Sequence, residues 1–287
     1  MFFLPIKRIK QKNESMLFMP ELPEVETVRR AMAAHLIGRR IIRVQTSNKR
    51  LREPLPKPRL KALAGVSFTC AERRAKFLLL HLDDGQTLLV HLGMTGNLVF
   101  RQATEKHDHV IFELDGGLSL VYADPRRFGM VLVCSAAELA ASPYLNRLGV
   151  EPLDDAFNLE FLWSHCKGRE RPIKNMIMDS HVVVGVGNIY ASEALFNAGI
   201  RPTVAAKRLS KVRLGRLVEA IKAVLRDAIQ AGGTTISDYL GDGSGGRFQQ
   251  SLAVYGRTGQ GCLVCERPVQ AMVMAGRSTF YCSGCQK

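Results

Sequence analysis

Residues 20–38 read PELPEVETVRRAMAAHLIG, and they decide how the chain begins to fold. Val25, Val28, Met32 and Leu36 recur at helical spacing over 21–36, Pro23 falls in the first turn where its missing N–H costs nothing, and Gly38 stands where a helix stops. An amphipathic helix therefore opens the fold. Downstream, from 40 to 133, the period changes to short apolar runs at Ile41–Val44, Lys76–Leu82, Thr87–Leu92, Val110–Leu114, Leu118–Tyr122 and Gly129–Val133. Asp83-Asp84-Gly85 and Asp115-Gly116-Gly117 separate runs as hairpin turns would. This half reads as an antiparallel β-sandwich.

After a connector around Ser142–Pro152 the pattern turns helical, at 155–166, 172–179, 188–197 and 208–231, with Asn188 as an N-cap and Gly232-Gly233 as a stop. A Gly-rich stretch, Gly241–Arg247, leads toward a cysteine segment. There Cys262 and Cys265 are spaced C-x2-C, sixteen residues intervene, and Cys282 and Cys285 repeat the spacing. Two such knuckles suit four thiolates around one tetrahedral Zn²⁺, with a two-stranded ribbon between them turning near Gly276. Four thiolates leave no open position, so the metal is expected to be structural. Disulfides would need an oxidising compartment, for which no secretion signal speaks. Cys70, Cys134 and Cys166 lie singly among apolar neighbours and read as inert core thiols.

The class is α+β, and the boundaries read as an extension at 1–19, a β-sandwich at 20–150, a helical domain at 151–252 and a zinc-ribbon finger at 253–287. Lys plus Arg is 40 against 26 for Asp plus Glu, a net charge of +14. The first 19 residues carry Lys7, Arg8, Lys10 and Lys12 against Glu14, so removing them takes away 4 − 1 = 3 and leaves +11. The charge belongs to the body of the chain, where it favours a polyanionic partner. No apolar run approaches the ~18 residues of a membrane span, so no membrane role and a cytoplasmic location are expected.

Several segments carry a resemblance to the formamidopyrimidine-DNA glycosylases: PELPEVETVRR (20–30), RRAKFLLL (73–80), HLGMTG (91–96), KHDHV (106–110), DPRRFG (124–129), GVGNIYASE (185–193) and TFYCSGCQK (279–287). The resemblance runs from Pro20 to the C-terminus and implies an N-terminal β-sandwich, a helix-two-turns-helix domain and a zinc ribbon, with damaged double-stranded DNA as partner of a monomer. It also implies a bifunctional glycosylase and lyase of base excision repair, acting on 8-oxoguanine and formamidopyrimidines.

A proline inside a chain is a tertiary amide and cannot attack anything, whereas a proline at a terminus is a secondary amine. An α-amino group titrates near ~8 against ~10.4 for lysine, so roughly a hundredfold more of it is neutral near pH 7.5. Pro20 is therefore expected to act as nucleophile in a chain that lacks residues 1–19, for which initiation at Met19 is one route. The resemblance makes Glu21 the general acid/base at the sugar and places Glu24 near the lesion. It makes Lys76 a proton donor in β-elimination and a phosphate contact, and Arg277 an aid to δ-elimination. His107, Arg126 and Arg169 align with DNA-binding positions, and His91, Asn188 and Tyr255 are further DNA-contact candidates. Met94, Arg126 and Phe128 would fill the hole left by an extruded base, the last two pointing to one side of an extended segment. Gly241–Arg247 resembles a loop that closes over that base. Two other readings stand beside this one: an endonuclease VIII-like glycosylase for oxidised pyrimidines, whose usual PEG opening differs from Pro20-Glu21-Leu22, and a non-catalytic zinc-dependent DNA-binding protein if residues 1–19 are retained.

Overall fold

A computed structural model describes residues 20–233 and 251–287. Helix α1 (Leu22–His35) starts behind Glu21, whose N–H donates to the Glu24 carboxylate three residues on at 2.9 Å. It buries Leu22, Val25, Val28 and Met32 and ends before Gly38, which takes the left-handed φ of 81° that turns the chain toward the first strand.

Eight strands follow: β1 (Ile41–Thr46), β2 (Phe68–Arg74), β3 (Phe77–Leu82), β4 (Thr87–His91), β5 (Asn97–Phe100), β6 (Asp108–Leu114), β7 (Ser119–Ala123) and β8 (Met130–Cys134). They form two four-stranded antiparallel sheets in the orders β1-β6-β7-β5 and β2-β3-β4-β8. The expected sandwich is what the chain builds. Strand β3 shows why its sequence is an unbroken apolar run: Leu78, Leu80 and Leu82 join the core shared with Phe68, Phe112 and Leu120, while Phe77 and Leu79 pack on the opposite face with Leu89, Met130 and Val184. Both faces are buried, so alternation disappears.

Strands β2 and β5 and the short helices α2 (Lys57–Lys61) and α3 (Ala136–Ala140) carry no periodic signal, and the sequence reading passes over them. β2, FTCAERR, is polar on its outer face and owes its strand form to pairing along the length of β3. Cys70 corrects the core-thiol reading. A register irregularity between Phe68 and Cys70 turns the thiol outward, and it is exposed, whereas Cys134 and Cys166 are buried.

The helical part consists of α4 (Leu159–Cys166), α5 (Ile173–Ile177), α6 (Asn188–Asn197) and α7 (Lys211–Gln230). Asn158 and Ser210 cap α4 and α7 through side-chain oxygens that accept the N–H groups of Phe161 and Arg213. The apolar stripe Leu214, Leu217, Val218, Ile221 and Leu225 of α7 seats against Ile189, Tyr190 and Leu195 of α6 in a second core. A zinc ribbon follows, with β9 (Gln270–Met274) and β10 (Arg277–Tyr281) joined at Ala275 and Gly276, whose φ values of 47° and 73° make the tight hairpin expected there. Helix α1 touches α7, and α6 touches β10, so the opening helix, the helical part and the ribbon converge.

Candidate active site

Pro20 is half-buried at the head of α1, and the next residue, Glu21, is 1 % exposed. Leu22 N–H donates to Gly185 O at 3.1 Å, which fastens this end of the sandwich to the segment that enters α6. The Glu21 carboxylate crosses the same junction and accepts N–H groups from Gly187 at 2.8 Å, Ile189 at 3.0 Å and Tyr190 at 3.5 Å. These are the unpaired donors of a helix N-terminus, so Glu21 caps α6 from another domain. Gly187 makes this approach feasible, because a Cβ there would lie 2.2 Å from the Glu21 carboxyl carbon. Burial pushes the Glu21 carboxyl above its ordinary range, against the downward pull of the Lys76 ammonium and of the amides it accepts from, and with added upward pressure from Glu24.

Asn188 is therefore not the cap. It is the first residue of α6, behind Gly187, and its side chain is engaged elsewhere: its Oδ1 accepts from Lys174 Nζ at 2.7 Å and its Nδ2 donates to Ser278 O at 2.8 Å. Lys174 also donates to Thr279 Oγ1 at 2.7 Å, and burial lowers its pKa to about 8, opposed by Glu21 and aided by Arg277. Sequence reading missed this lysine. The only local signal is a charge inside the apolar pattern Ile173–Ile177, and nothing in that pattern says that α5, α6 and β10 will enclose it. Arg277 is exposed at the start of β10 and lines a small cavity of about 60 Å³ with Arg171, Lys174 and Asn175. The Tyr255 hydroxyl lies 3.5 Å from Asn188 Nδ2, and its ring packs edge-on to Phe280 at 4.8 Å.

Glu24, 2 % exposed, accepts the Tyr190 hydroxyl at 2.6 Å as well as the Glu21 N–H. Lys76 does not begin β3. It occupies the two-residue turn between β2 and β3 after Ala75, whose φ of 54° is left-handed, and strand pairing starts at Phe77. A turn answers the question of how a lysine heads an apolar strand, since the ammonium leaves the sheet at its end. His91, at the end of β4, accepts the Gly93 N–H on Nδ1 at 3.0 Å. Its pKa falls to about 4 through burial and the positive charges of Lys76 and Arg52, so at neutral pH it is an uncharged imidazole presenting Nε2–H.

Met94, Arg126 and Phe128 come from two loops that interlock. Asp124, fully buried, accepts Thr95 Oγ1–H at 2.6 Å and Gly129 N–H at 2.8 Å, and the Thr95 Oγ1 in turn accepts the Arg126 N–H at 3.1 Å. The segment is not extended as expected: Arg127 has φ of 59° and closes a turn on Asp124. Arg126 and Phe128 nevertheless meet, the guanidinium standing 5.0 Å from the ring centroid. Phe128 is 48 % exposed and Met94 half-buried. His107 and Arg169 stand exposed on the surface. Gly241–Arg247 and the extension 1–19 lie outside the described residues.

At the far end, the four sulfurs of Cys262, Cys265, Cys282 and Cys285 all lie within 4.8 Å of one another, with Sγ–Sγ separations of 3.8 Å for Cys262 and Cys285 and 3.4 Å for Cys265 and Cys282. A tetrahedron with Zn–S of ~2.3 Å needs edges of about 3.8 Å, so the set fits one structural Zn²⁺. Gln286 secures it, accepting the Cys282 N–H at 2.8 Å and donating to Ile200 O at 2.9 Å.

Family models match in the same order: Formamidopyrimidine-DNA glycosylase N-terminal domain at 19–131, Formamidopyrimidine-DNA glycosylase H2TH domain at 148–239 and the zinc finger found in FPG and IleRS at 259–287. The chain belongs to the formamidopyrimidine-DNA glycosylase family. The formamidopyrimidine-DNA glycosylase of Thioalkalivibrio sulfidiphilus is 50 % identical over 275 residues, covering 94 % of this chain and 100 % of the relative, and that of Hahella chejuensis is 47 % identical over 273 residues, covering 94 % and 100 %. Among solved structures, the MutM (FPG) protein of Thermus thermophilus superposes with a TM-score of 0.83 at 39 % identity, covering 93 % of this chain and 98 % of that one. The Lactococcus lactis Fpg in complex with an abasic-site DNA gives 0.85 at 32 % identity, covering 93 % and 99 %.

Within this member of the glycosylase family, two further buried groups escaped sequence reading. Glu193 ends the GVGNIYASE motif, is 4 % exposed, and accepts the N–H groups of Ala253 at 2.8 Å, Val254 at 3.0 Å and Tyr255 at 2.8 Å. It thereby fastens the approach to the ribbon onto α6. His109 of KHDHV is a core residue, bonded to Asp124 O at 2.9 Å and Ser47 Oγ at 3.0 Å.

Proposed function

We propose that the chain is a bifunctional DNA glycosylase and AP lyase of base excision repair that removes 8-oxoguanine and formamidopyrimidines from duplex DNA, with the Pro20 nitrogen as nucleophile. The observation that carries this reading is the buried Glu21 carboxylate beside Pro20, joined by Lys76, where sandwich, helices and ribbon meet. The free amine attacks C1′, the bond to the base breaks, and Glu21 exchanges the proton that the opening sugar requires. The resulting iminium makes the neighbouring sugar proton acidic. Lys76 then serves the β-elimination and Arg277 the δ-elimination, each breaking one sugar C–O bond and releasing a phosphate as the leaving group. Lys174, its pKa drawn down to about 8 by burial and its Nζ donating to Asn188 and Thr279, adds a cation whose charge Glu21 feels.

His107, Arg126 and Arg169 grip phosphates, with His91, Asn188 and Tyr255 beside them, while Glu24 lies near the lesion. Residues 20–150 supply the nucleophile, Glu21, Lys76 and part of the grip on DNA, and residues 151–252 and 253–287 the rest of that grip together with Arg277. The zinc stiffens the ribbon and takes no part in a chemical step. We place the protein in the cytoplasm as a monomer on the DNA, with the charge of 14 − 3 = +11 that remains without residues 1–19 supplying the attraction. No described helix is long and apolar enough to cross a membrane.

Borohydride, which reduces an iminium to a stable amine, tests the reading. Trapping is expected with duplexes carrying 8-oxoguanine opposite cytosine or a formamidopyrimidine, and to be weaker with oxidised pyrimidines. Stronger trapping on the pyrimidine lesions would install the endonuclease VIII-like alternative, and no adduct on any duplex would leave a DNA-binding protein without this chemistry.

The exposed Phe128, braced by Arg126, is suited to fill the space of an extruded base. Phe128→Ala is expected to slow excision from an intact duplex by about tenfold, and much less from a substrate whose damaged base is already unstacked, since each unstacked step costs a few kcal/mol. Equal losses on both substrates would return Phe128 to a general packing role.

A further inference from the structure

The turn that carries Lys76 is held from outside the sandwich. Glu151 lies near the end of the connector between sandwich and helices, and its Oε1 accepts the Ala75 N–H at 2.7 Å and Arg74 Nη1 at 2.9 Å, while its Oε2 accepts Arg73 Nη1 at 2.7 Å. Arg73 Nη1 also donates to Ala75 O at 2.9 Å, and its Nε reaches Glu26 on α1 at 3.3 Å. Both polar groups of the Ala75 backbone are thus taken, the N–H by Glu151 and the C=O, which belongs to the peptide unit leading into Lys76, by Arg73. The clamp is largely sheltered, with Arg73 and Glu151 side chains 12 % and 13 % exposed. Ala75 sits at φ of 54°, a conformation an alanine keeps only where its surroundings over-determine it.

The other side of the clamp leads back to the same site. Arg74 Nη2 donates to Leu148 O at 3.1 Å, and Val150, next to Glu151, pairs with Val183, with Val184 N–H donating to Val150 O at 3.0 Å. That segment runs directly into Gly185 and Gly187, which receive Leu22 and Glu21. The Lys76 turn and the Glu21 anchor are therefore built on one short frame.

We propose that Glu151 is a positioning residue for the lyase step: with Arg73 it locks the Ala75–Lys76 turn and sets the Lys76 amine in register with Glu21. This rests on the reading of Lys76 as a proton donor in the elimination. A displacement of about 1 Å at a reacting group can cost on the order of a hundredfold, so the effect is measurable.

Glu151→Gln, which keeps one acceptor but loses the charge between two guanidiniums, is expected to slow single-turnover strand cleavage at a preformed abasic site by about tenfold or more, at saturating enzyme. The step is read again in Lys76→Ala and in the double variant. A double variant no slower than Lys76→Ala is the expected result, because Glu151 acts through the lysine. Glu151→Gln slowing the Lys76→Ala enzyme by the same factor as the parent would overturn the proposal and leave Glu151 a general structural residue. Lys76→Ala cleaving at the parent rate would instead remove the reading of Lys76, and the proposal with it. Should Glu151→Gln fail to fold, as judged by zinc content and melting, Glu151→Asp keeps the charge but withdraws the acceptor from Ala75 N–H. It is expected to show a smaller loss that Lys76→Ala likewise absorbs, and an additive loss would again sink the idea.

Discussion

Protein that carries residues 1–19 ahead of Pro20 is expected to form no borohydride-reducible adduct with damaged DNA, whereas protein beginning at Pro20 forms it readily. The difference in excision rate should be on the order of a thousandfold or more, the scale on which removing a covalent nucleophile acts. In the longer chain the Pro20 nitrogen is a planar tertiary amide with its lone pair delocalised, and no rearrangement of neighbours restores it. Glu21 is a carboxylate and Arg277 a guanidinium, so neither replaces the attacking amine. Lys174 is a primary amine whose pKa burial lowers to about 8, so more of it is neutral than of an ordinary lysine. Its Nζ is already committed to Asn188 and Thr279. Intact mass and N-terminal sequencing of protein expressed from its native gene establish the start, and trapping of the same preparation establishes the nucleophile. A protein beginning at Met1 that still gave a covalent adduct would show that another amine does the work.

Glu21→Gln is expected to lower single-turnover base excision by about a hundredfold to a thousandfold, the range of a lost general acid/base, with DNA binding changed much less. The pH profile separates this role from a structural one. Burial raises the Glu21 carboxyl, so as pH falls through that raised value the group takes up a proton and its capacity as a base is lost. The acid limb of the wild-type rate should therefore stand above the ordinary carboxylate range and vanish in Glu21→Gln. The substitution also leaves the N–H groups of Gly187, Ile189 and Tyr190 sharing one amide oxygen, at a cost of about 1–3 kcal/mol for a poorly satisfied buried donor. Melting measurements give that part. Retention of both the wild-type rate and its acid limb would confine Glu21 to capping α6.

What the sequence by itself determined about this protein is whatever neighbouring residues decide among themselves. The stripe Val25, Val28, Met32 and Leu36 needs only the helical period, the Asp-Gly turns need only glycine's access to positive φ, and the two C-x2-C knuckles need only the reach of a tight turn. The motif strings from PELPEVETVRR to TFYCSGCQK added the family, and with it the candidates at Pro20, Glu21, Lys76 and Arg277. Tertiary structure alone decided what those candidates touch. The donors that Glu21 satisfies come from residues 166 to 169 positions away, and Lys174 meets Thr279 at a separation of 105. No local pattern encodes such a pairing, because its free energy exists only after two domains have excluded water from the junction. The same reason accounts for Asn188, a good cap by composition that the fold spends on Lys174 and Ser278 once Glu21 has taken the helix end. It accounts for Cys70 as well, whose side of the sheet was set by a register irregularity against β3 and not by the residues beside it.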